Sequence, residues 1–507
     1  MLIKTNPDEI QDYLSDASHL RGGFASSVEF PASVEEVAQA LADAASNQTP
    51  VTISGAGTGT VAGRVPFGGV VIATDRLNLI KSIDSNHDGG RAIVEAGTRL
   101  IDLQRAVEAQ GLLYAPDPTE RTALIGGNIA TNASGARTFK YGPTRNYVTA
   151  LKIVLATGDV IDIRRGELFA RHDQISIPLA NGRMISAQLP SYQMPRVRKH
   201  ASGYYVQPGM DLIDLFIGSE GTLGVIVEAE LKLLTKPAGL LSGVVFFDDE
   251  EKLLAFVREA RERSLANRTS TVGRPGGSNE DSGQLDARAL EYLDVESLGF
   301  LRTKYESIPA QAIGAIFFVQ ETTAASEDEL MDEWLSLLET HEALADQSWF
   351  ATSEQDQANL REFRHVLPVL MNEWFAGHKQ KKVSTDMAVP DDQFAGMLRF
   401  YQENLRHGDL RYTIFGHIGD NHVHVNILPR NDSEAEKAWD IYRKFIRRAV
   451  EVGGTISAEH GIGKLKRDYL RELYGDQHLR EMALLKRAFD PARILGRGNM
   501  FEEDLLS

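Results

Sequence analysis

Apolar positions follow two different spacings along the chain. Residues Ser33–Ser46 place Val34, Val37, Ala38, Leu41, Ala42 and Ala45 on one face, which predicts an amphipathic helix. Ser33 is placed to cap it, and Glu35 and Glu36 favour its first turn. Short apolar runs predict strands at Pro50–Ser54, Gly68–Thr74, Arg91–Glu95, Tyr147–Ala156 and Val160–Ile163. Leu215–Val227 reads as a buried strand, a glycine turn and a second strand. After Pro237 strands and helices alternate. Strands are predicted at Leu240–Phe247, Ala312–Gln320, Lys382–Met387, Arg411–Gly416 and His422–Ile427. Helices are predicted at Glu250–Arg261, Glu327–Glu339, Gln357–Phe375 and Asp391–Arg406, with Pro368 expected to kink or split the third. This rhythm points to an antiparallel sheet backed by helices, an α+β arrangement read as two ferredoxin-like halves. An amphipathic helix at Ser433–Val452 and a last one at Gln477–Phe489 form the tail. The polar stretch Asn267–Gln284 reads as a surface excursion. The expected division is 1–237, 238–430 and 431–507.

Two loops interrupt these patterns. Gly55-Ala56-Gly57-Thr58-Gly59 follows a strand, and such a loop lets backbone N–H groups approach a pyrophosphate. It matches neither common phosphate loop: no Gly-Lys-Ser/Thr is present, and a strand follows where a dinucleotide fold needs a long helix. Ala115–Gly142 is long, rich in Gly, Thr, Asn and Ser, and too poor in apolar residues for a regular element. Ile125, Ile129 and Ala130 indicate that it packs.

The densest chemistry lies in Gly416–Asn426, GHIGDNHVHVN, with three histidines in eleven residues. Alternation from His422 to Asn426 puts His422, His424 and Asn426 on one strand face. The Gly419-Asp420-Asn421 turn brings His417 back toward His424. Glu459 and His460 follow in the tail. Two imidazoles and a carboxylate suit a divalent ion with an open position, and a further histidine beside them suits a proton acceptor. A His-x-His pair on a strand is also a common packed pair, so these residues alone leave both readings open.

Composition narrows the field. The 507 residues exceed one typical core, so two or three domains are expected. A net charge of −17 argues against nucleic acid as a partner. With no cysteine, the chain has no disulfide, thiolate nucleophile or cysteine-held iron–sulfur cluster. No apolar run approaches a membrane span, and the polar N-terminus lacks a signal core. A cytoplasmic location is the expectation, with membrane association only through a partner.

Taken together, strand–GAGTG–strand, GGNIATNASG-x5-YG and GSEGTLGVI resemble the FAD-binding domain of vanillyl-alcohol-oxidase type flavoproteins. GHIGDNHVHVN and AEHGIGKLK narrow this to the FAD-linked D-2-hydroxy-acid dehydrogenases. The resemblance spans nearly the whole chain. It implies a two-part FAD-binding domain, a ferredoxin-like antiparallel-sheet substrate domain and a helical C-terminal segment returning to the FAD domain. It assigns the pyrophosphate to Gly55, Ala56, Gly57, Thr58 and Gly59. Pro116, Gly126, Gly127, Thr131, Asn132 and Gly135 would wrap the cofactor. Gly218, Glu220, Gly221 and Val225 would lie near its adenosine half. The loops lack the histidine or cysteine that tethers flavin in some relatives, so FAD is expected to be non-covalent.

The resemblance also implies His417, His424 and Glu459 as metal ligands and His460 as the base. Arg364, with Lys382 and Asn426 as candidates, would hold the substrate; some relatives place the lysine where this chain has Ser384. His422 stands where relatives often have Asn, and packing alone is its favoured role. Zinc is the first choice of metal, with manganese and iron also compatible. The implied reaction is oxidation of a small D-2-hydroxy acid to the 2-oxo acid. D-lactate or glycolate is expected, because no extra basic cluster for a second carboxylate is evident. Electrons would leave to a quinone, a cytochrome, an electron-transfer flavoprotein or a separate iron–sulfur subunit. A metal-free FAD-linked alcohol or sugar oxidase and a flavoprotein subunit of an electron-transfer complex are the competing readings.

Overall fold

The structure, a computed structural model, describes residues 1–270 and 284–506. Most of the predicted excursion at Asn267–Gln284 lies outside the described residues.

Three larger sheets organise the chain. The first runs in the order Leu2–Lys4, Ser27–Phe30, Val70–Ala73, Val51–Ser54. Its last two pairings are parallel. The helix Val34–Ser46 packs beside it, with Ser33 Oγ accepting from the Glu36 N–H at 3.3 Å and Val37, Ala40, Leu41 and Ala44 buried. The second sheet is antiparallel and centres on the long strand Val225–Thr235, between Gly89–Glu95 and Val148–Val154.

The third sheet has seven antiparallel strands. Their order is Trp349–Ala351, Gly239–Phe247, Gly314–Thr322, Ala287–Asp294, Tyr412–Gly416, His424–Ile427, Val383–Ser384. Its central strands are apolar on both faces because each face has its own core. Leu241, Val245 and Phe247 point into one core and Val244 and Phe246 into the other, the period-two consequence of the pleat. The helix Glu354–His378 covers one of these faces.

Several local expectations need correction. The apolar run before Gly218 is the short helix Ile213–Phe216, fully buried. An apolar run of this length has no period that separates a buried turn of helix from a strand. The loop Ala115–Gly142 contains the short helices Ile125–Ala130 and Thr138–Tyr141, stabilised by burial of Ile125, Ile129 and Phe139 rather than by helix propensity. Only Val383–Ser384 of Lys382–Met387 pairs as a strand. Pro368 does not split its helix, which runs unbroken from Glu354 to His378. The predicted last helix, ending at Phe489, is preceded by a further helical segment from Arg467, the two separated at Gly475, whose φ of 78° is non-helical. The strand Ala287–Asp294 was not among those predicted, and it carries a residue the site depends on.

Candidate active site

The hairpin Tyr412–Gly416 and His424–Ile427 pairs Phe415 with His424 and Thr413 with Asn426. Its connection folds inward as one 3-10 turn, Ile418–Asp420, with Asn421 left-handed at φ 53°. Gly419 is required there, since a Cβ would stand 2.8 Å from the Phe139 ring. The turn gathers three imidazoles. Ring centres are 5.4 Å apart for His417 and His422, 4.5 Å for His422 and His424, and 5.7 Å for His417 and His424.

Glu459 reaches this group from the tail. Its carboxylate is 3.3 Å from His417 Nε2, 3.8 Å from His424 Nε2 and 4.0 Å from His422 Nδ1. Buried Asp386 holds the tail segment in place. Its carboxylate accepts from Ser457 Oγ at 2.6 Å, Lys466 Nζ at 2.7 Å and the His460 N–H at 3.0 Å. The N–H of Ala458 donates to the Asp386 carbonyl at 2.7 Å.

The outer nitrogen of each imidazole has an acceptor close by. Glu291 lies 2.6 Å from His417 Nδ1, and the Thr385 carbonyl 3.0 Å from His424 Nδ1. His422 Nε2 sits 3.2 Å from Asp386 Oδ1, but off the hydrogen-bonding line. The inner nitrogens and Glu459 then face one another, with one donor atom from each residue lying within 4.8 Å of the others. Rings held from outside, with a free nitrogen turned inward, are the usual construction of a metal site. His422 is fully buried and neither ring nitrogen has a hydrogen-bond partner among the described residues, an expensive arrangement unless something else occupies it.

Electrostatics agree with this reading. Burial alone would raise Glu459, but Lys199 and then His417 hold its carboxyl well below the usual range. Burial would also raise Glu291, and Arg364 followed by His417 overrides it. Burial, and then neighbouring His422, push His424 well below its ordinary value and keep it a neutral donor. Burial opposes protonation of His417 too, yet Glu291 lifts it to about 9.

Lys199 and Glu291 were missed by the sequence reading. Lys199 is fully buried, and its ammonium donates to Glu459 at 2.6 Å and to the Gly135 carbonyl at 2.8 Å. Nothing local marks it. Glu291 did leave a signal: an acid inside the apolar run ALEYL is costly to bury without a partner.

The substrate candidates separate. Arg364 reaches the cluster by donating to Glu291 from Nε at 3.1 Å and Nη2 at 2.8 Å. Asn426 is buried and engaged within the sheet, accepting from Ser384 Oγ at 2.9 Å. Lys382 is exposed and joins no ion pair among the described residues.

The glycine loops wall a cavity. Gly55 through Gly59 form one side, Gly126, Gly127 and Thr131 a second, and Glu220, Gly221 and Val225 a third. A Cβ on Gly59 or Gly127 would meet no protein atom within 4 Å, so the backbone there faces open space able to take a ligand. Gly126 is different: its Cβ would collide with that of Ala96 at 2.6 Å. Arg64 ties the first loop by donating to the Gly55 carbonyl at 2.7 Å and Ser54 Oγ at 3.0 Å. Pro116, Asn132, Gly135 and Gly218 do not line this cavity. Asn132 instead fixes the loop by accepting from the Arg145 N–H at 3.0 Å. His460 does line it, and its Nδ1 lies 3.3 Å from Asp386.

Comparison with known proteins agrees with the two halves of this site. Residues 25–164 match the family described as FAD binding domain, and residues 281–500 match FAD linked oxidases, C-terminal domain. The chain is 30% identical to the glycolate oxidase subunit GlcD of Bacillus subtilis, over 97% of this chain and 92% of that protein. It is 31% identical to a D-lactate dehydrogenase of Anaerostipes hadrus, over 92% and 88%. Identity to a D-2-hydroxyglutarate dehydrogenase of Stutzerimonas stutzeri is 26%, over 98% and 96%. Among solved structures, p-cresol methylhydroxylase superposes with a TM-score of 0.69 at 13% identity, over 99% of this chain and 94% of that one. That likeness shows the fold. No helix among the described residues is long and apolar enough to cross a membrane. The glycine-walled cavity, the fold and the relatives lead to one assignment: this chain is an oxidoreductase belonging to the FAD-linked D-2-hydroxy-acid dehydrogenase family, built on the vanillyl-alcohol-oxidase type FAD-binding fold.

Proposed function

We propose that the protein oxidises a D-2-hydroxy acid to the 2-oxo acid with a divalent cation at the histidine–glutamate cluster, and passes the electrons to an external acceptor. In this reading residues 1–237 hold the cofactor, 238–430 carry the histidines, and 431–507 bring Glu459 and His460 back between them. One observation carries it: Glu459 and His460 are chain neighbours, one turned to the three imidazoles and the other lining the glycine-walled cavity.

His417, His424 and Glu459 would hold the ion, with zinc first and manganese or iron also suited to this donor set. The unpartnered ring of His422 favours a third imidazole over simple packing. When bound, FAD supplies a two-electron hydride acceptor, and the ion supplies positive charge that acidifies a coordinated hydroxyl. The chain does the remaining work. Asp386 faces His460 Nδ1 and grips its N–H, leaving Nε2 to take the hydroxyl proton. Arg364, already oriented by Glu291 through Nε and Nη2, has no described hydrogen bond at Nη1, the atom left for the substrate carboxylate. The C2 hydride leaves toward the cavity side, so proton and hydride depart separately and the 2-oxo acid remains.

Anaerobic addition of D- and L-hydroxy acids to the purified yellow protein tests this. A D-2-hydroxy acid is expected to bleach the flavin absorption. His460→Ala should keep the absorption and slow bleaching by about a thousandfold. Unchanged bleaching in that variant would remove His460 from the reaction.

A further inference from the structure

We propose that Lys199 is a positioning residue for the cation: it commits one oxygen of Glu459, so that the carboxylate offers the ion a single oxygen and positions on the ion stay open for the substrate. This deepens the cation reading above and rests on it.

A buried ammonium on a ligand of a cation needs a reason. Lysine is almost never fully buried without a partner, yet Lys199 is 0% exposed. Its ammonium donates to Glu459 Oε1 at 2.6 Å and to the Gly135 carbonyl at 2.8 Å. Ser134 Oγ donates to the same Oε1 at 3.2 Å. Glu459 Oε2 accepts no hydrogen bond among the described residues and lies 3.8 Å from His424 Nε2. The two oxygens are therefore unequal. Oε1 is taken up by donors from distant parts of the chain, and Oε2 is left facing an imidazole.

Orientation alone does not explain the charge. The Glu459 N–H already donates to Asp386 at 3.3 Å, and a neutral donor such as Ser134 can hold Oε1. An ammonium does something a hydroxyl cannot: it repels a second cation. Lys199 also lies 3.5 Å from Asp420, whose one ion pair among the described residues this is. The ammonium thus offsets acidic charge that would otherwise add to the pull on an ion at the histidines.

Two consequences follow for a bound ion. A carboxylate shared with an ammonium and a hydroxyl neutralises less of the ion's charge, so a coordinated hydroxyl is acidified more strongly. With Oε1 held back, the carboxylate does not close on the ion with both oxygens, and the open position that catalysis needs is kept. Lys199 lowers affinity for the cation and raises its usefulness.

The experiment measures manganese(II) binding to the FAD-loaded protein at pH 8, where proton competition is low, from the electron spin resonance of the free ion. Anaerobic flavin reduction is followed in the same preparations, with the hydroxy acid that bleaches wild type. Lys199→Met has a similar length and neither charge nor donor. It should bind manganese(II) at least tenfold more tightly than wild type and, when saturated with it, reduce flavin at least tenfold more slowly. Ser134→Ala should move both in the same direction by roughly two- to fivefold. A lysine that only supports the fold would leave the affinity unchanged or lower it when replaced. Manganese(II) bound no more tightly by Lys199→Met than by wild type overturns the proposal, and so does flavin reduction as fast as wild type. If Lys199→Met does not fold, Ser134→Ala decides, and affinity no tighter than wild type overturns it. Wild-type protein that binds no manganese(II) overturns the cation reading itself, and this proposal with it, so the wild type tells the two failures apart.

Discussion

The cavity and the histidine cluster adjoin one another but are built by opposite means. The cavity is made of backbone: glycines at 55, 57, 59, 126 and 127 leave its wall bare, and what matters there is the absence of side chains. The cluster is made of side chains from a hairpin, a buried strand and the tail, each held by a partner behind it. A bare wall tolerates chemical variation and fails on volume. A charged cluster tolerates volume and fails when one charge loses its opposite, because a buried group left unpaired bears its whole desolvation cost.

That contrast predicts separable losses. The largest belongs to the cluster. His424→Ala should remove bound metal and lower kcat/KM for the hydroxy acid by about ten-thousandfold, while flavin absorption persists. Metal analysis and the visible spectrum of one preparation check both halves. An active, metal-free His424→Ala protein would break the distinction at its root.

A volume change on the other side should do the reverse. Gly126→Val forces side-chain atoms into Ala96, where a Cβ already stands at 2.6 Å. The expected cost is about 1–3 kcal/mol at the wall, seen as flavin affinity weakened roughly tenfold or more, with metal content retained. Equilibrium dialysis against FAD measures it.

A third effect, on stability alone, sharpens the comparison within one strand. Glu291 and Asp294 are both buried on Ala287–Asp294, but only Glu291 faces cations. Asp294 caps the next helix, accepting from the Ser297 N–H at 2.8 Å, and burial pushes its carboxyl up to about 7. The folded state then binds a proton that the unfolded state releases near pH 4. This contribution to stability is complete at low pH and is lost as pH rises through 7. Asp294→Asn keeps the cap acceptor and lacks this titration. Between pH 5 and pH 8 wild type should lose about 2–3 kcal/mol relative to the variant in urea unfolding. Parallel pH profiles for the two proteins would show that the neutral cap does not hold a proton.

Legibility followed the same divide. The glycine loops, the helix at Ser33–Ser46 and four of the seven strands of the late sheet could be read because local spacing alone specifies them. The trio His417, His424 and Glu459 was singled out by family resemblance added to donor chemistry and one turn signal, and the fold brings the three side chains together. Where spacing carried no period, reading failed: Ile213–Phe216 is helical although four residues, three apolar and Asp214, are too few to show a helical spacing, and Ile125–Ala130 is helical although glycines disfavour it. In both, burial against distant elements decides the conformation.

The sequence by itself determined the order of elements, the bare-walled loops and a set of donors able to bind a cation. Those are properties of short stretches and of residue types. Only the tertiary structure decided that Lys199 grips Glu459, that Glu291 stands between His417 and Arg364 and that His422 turns its ring to its neighbours. Charge acts through space over several ångströms regardless of separation along the chain. Which charges become neighbours is settled when the sheets and the returning tail pack together.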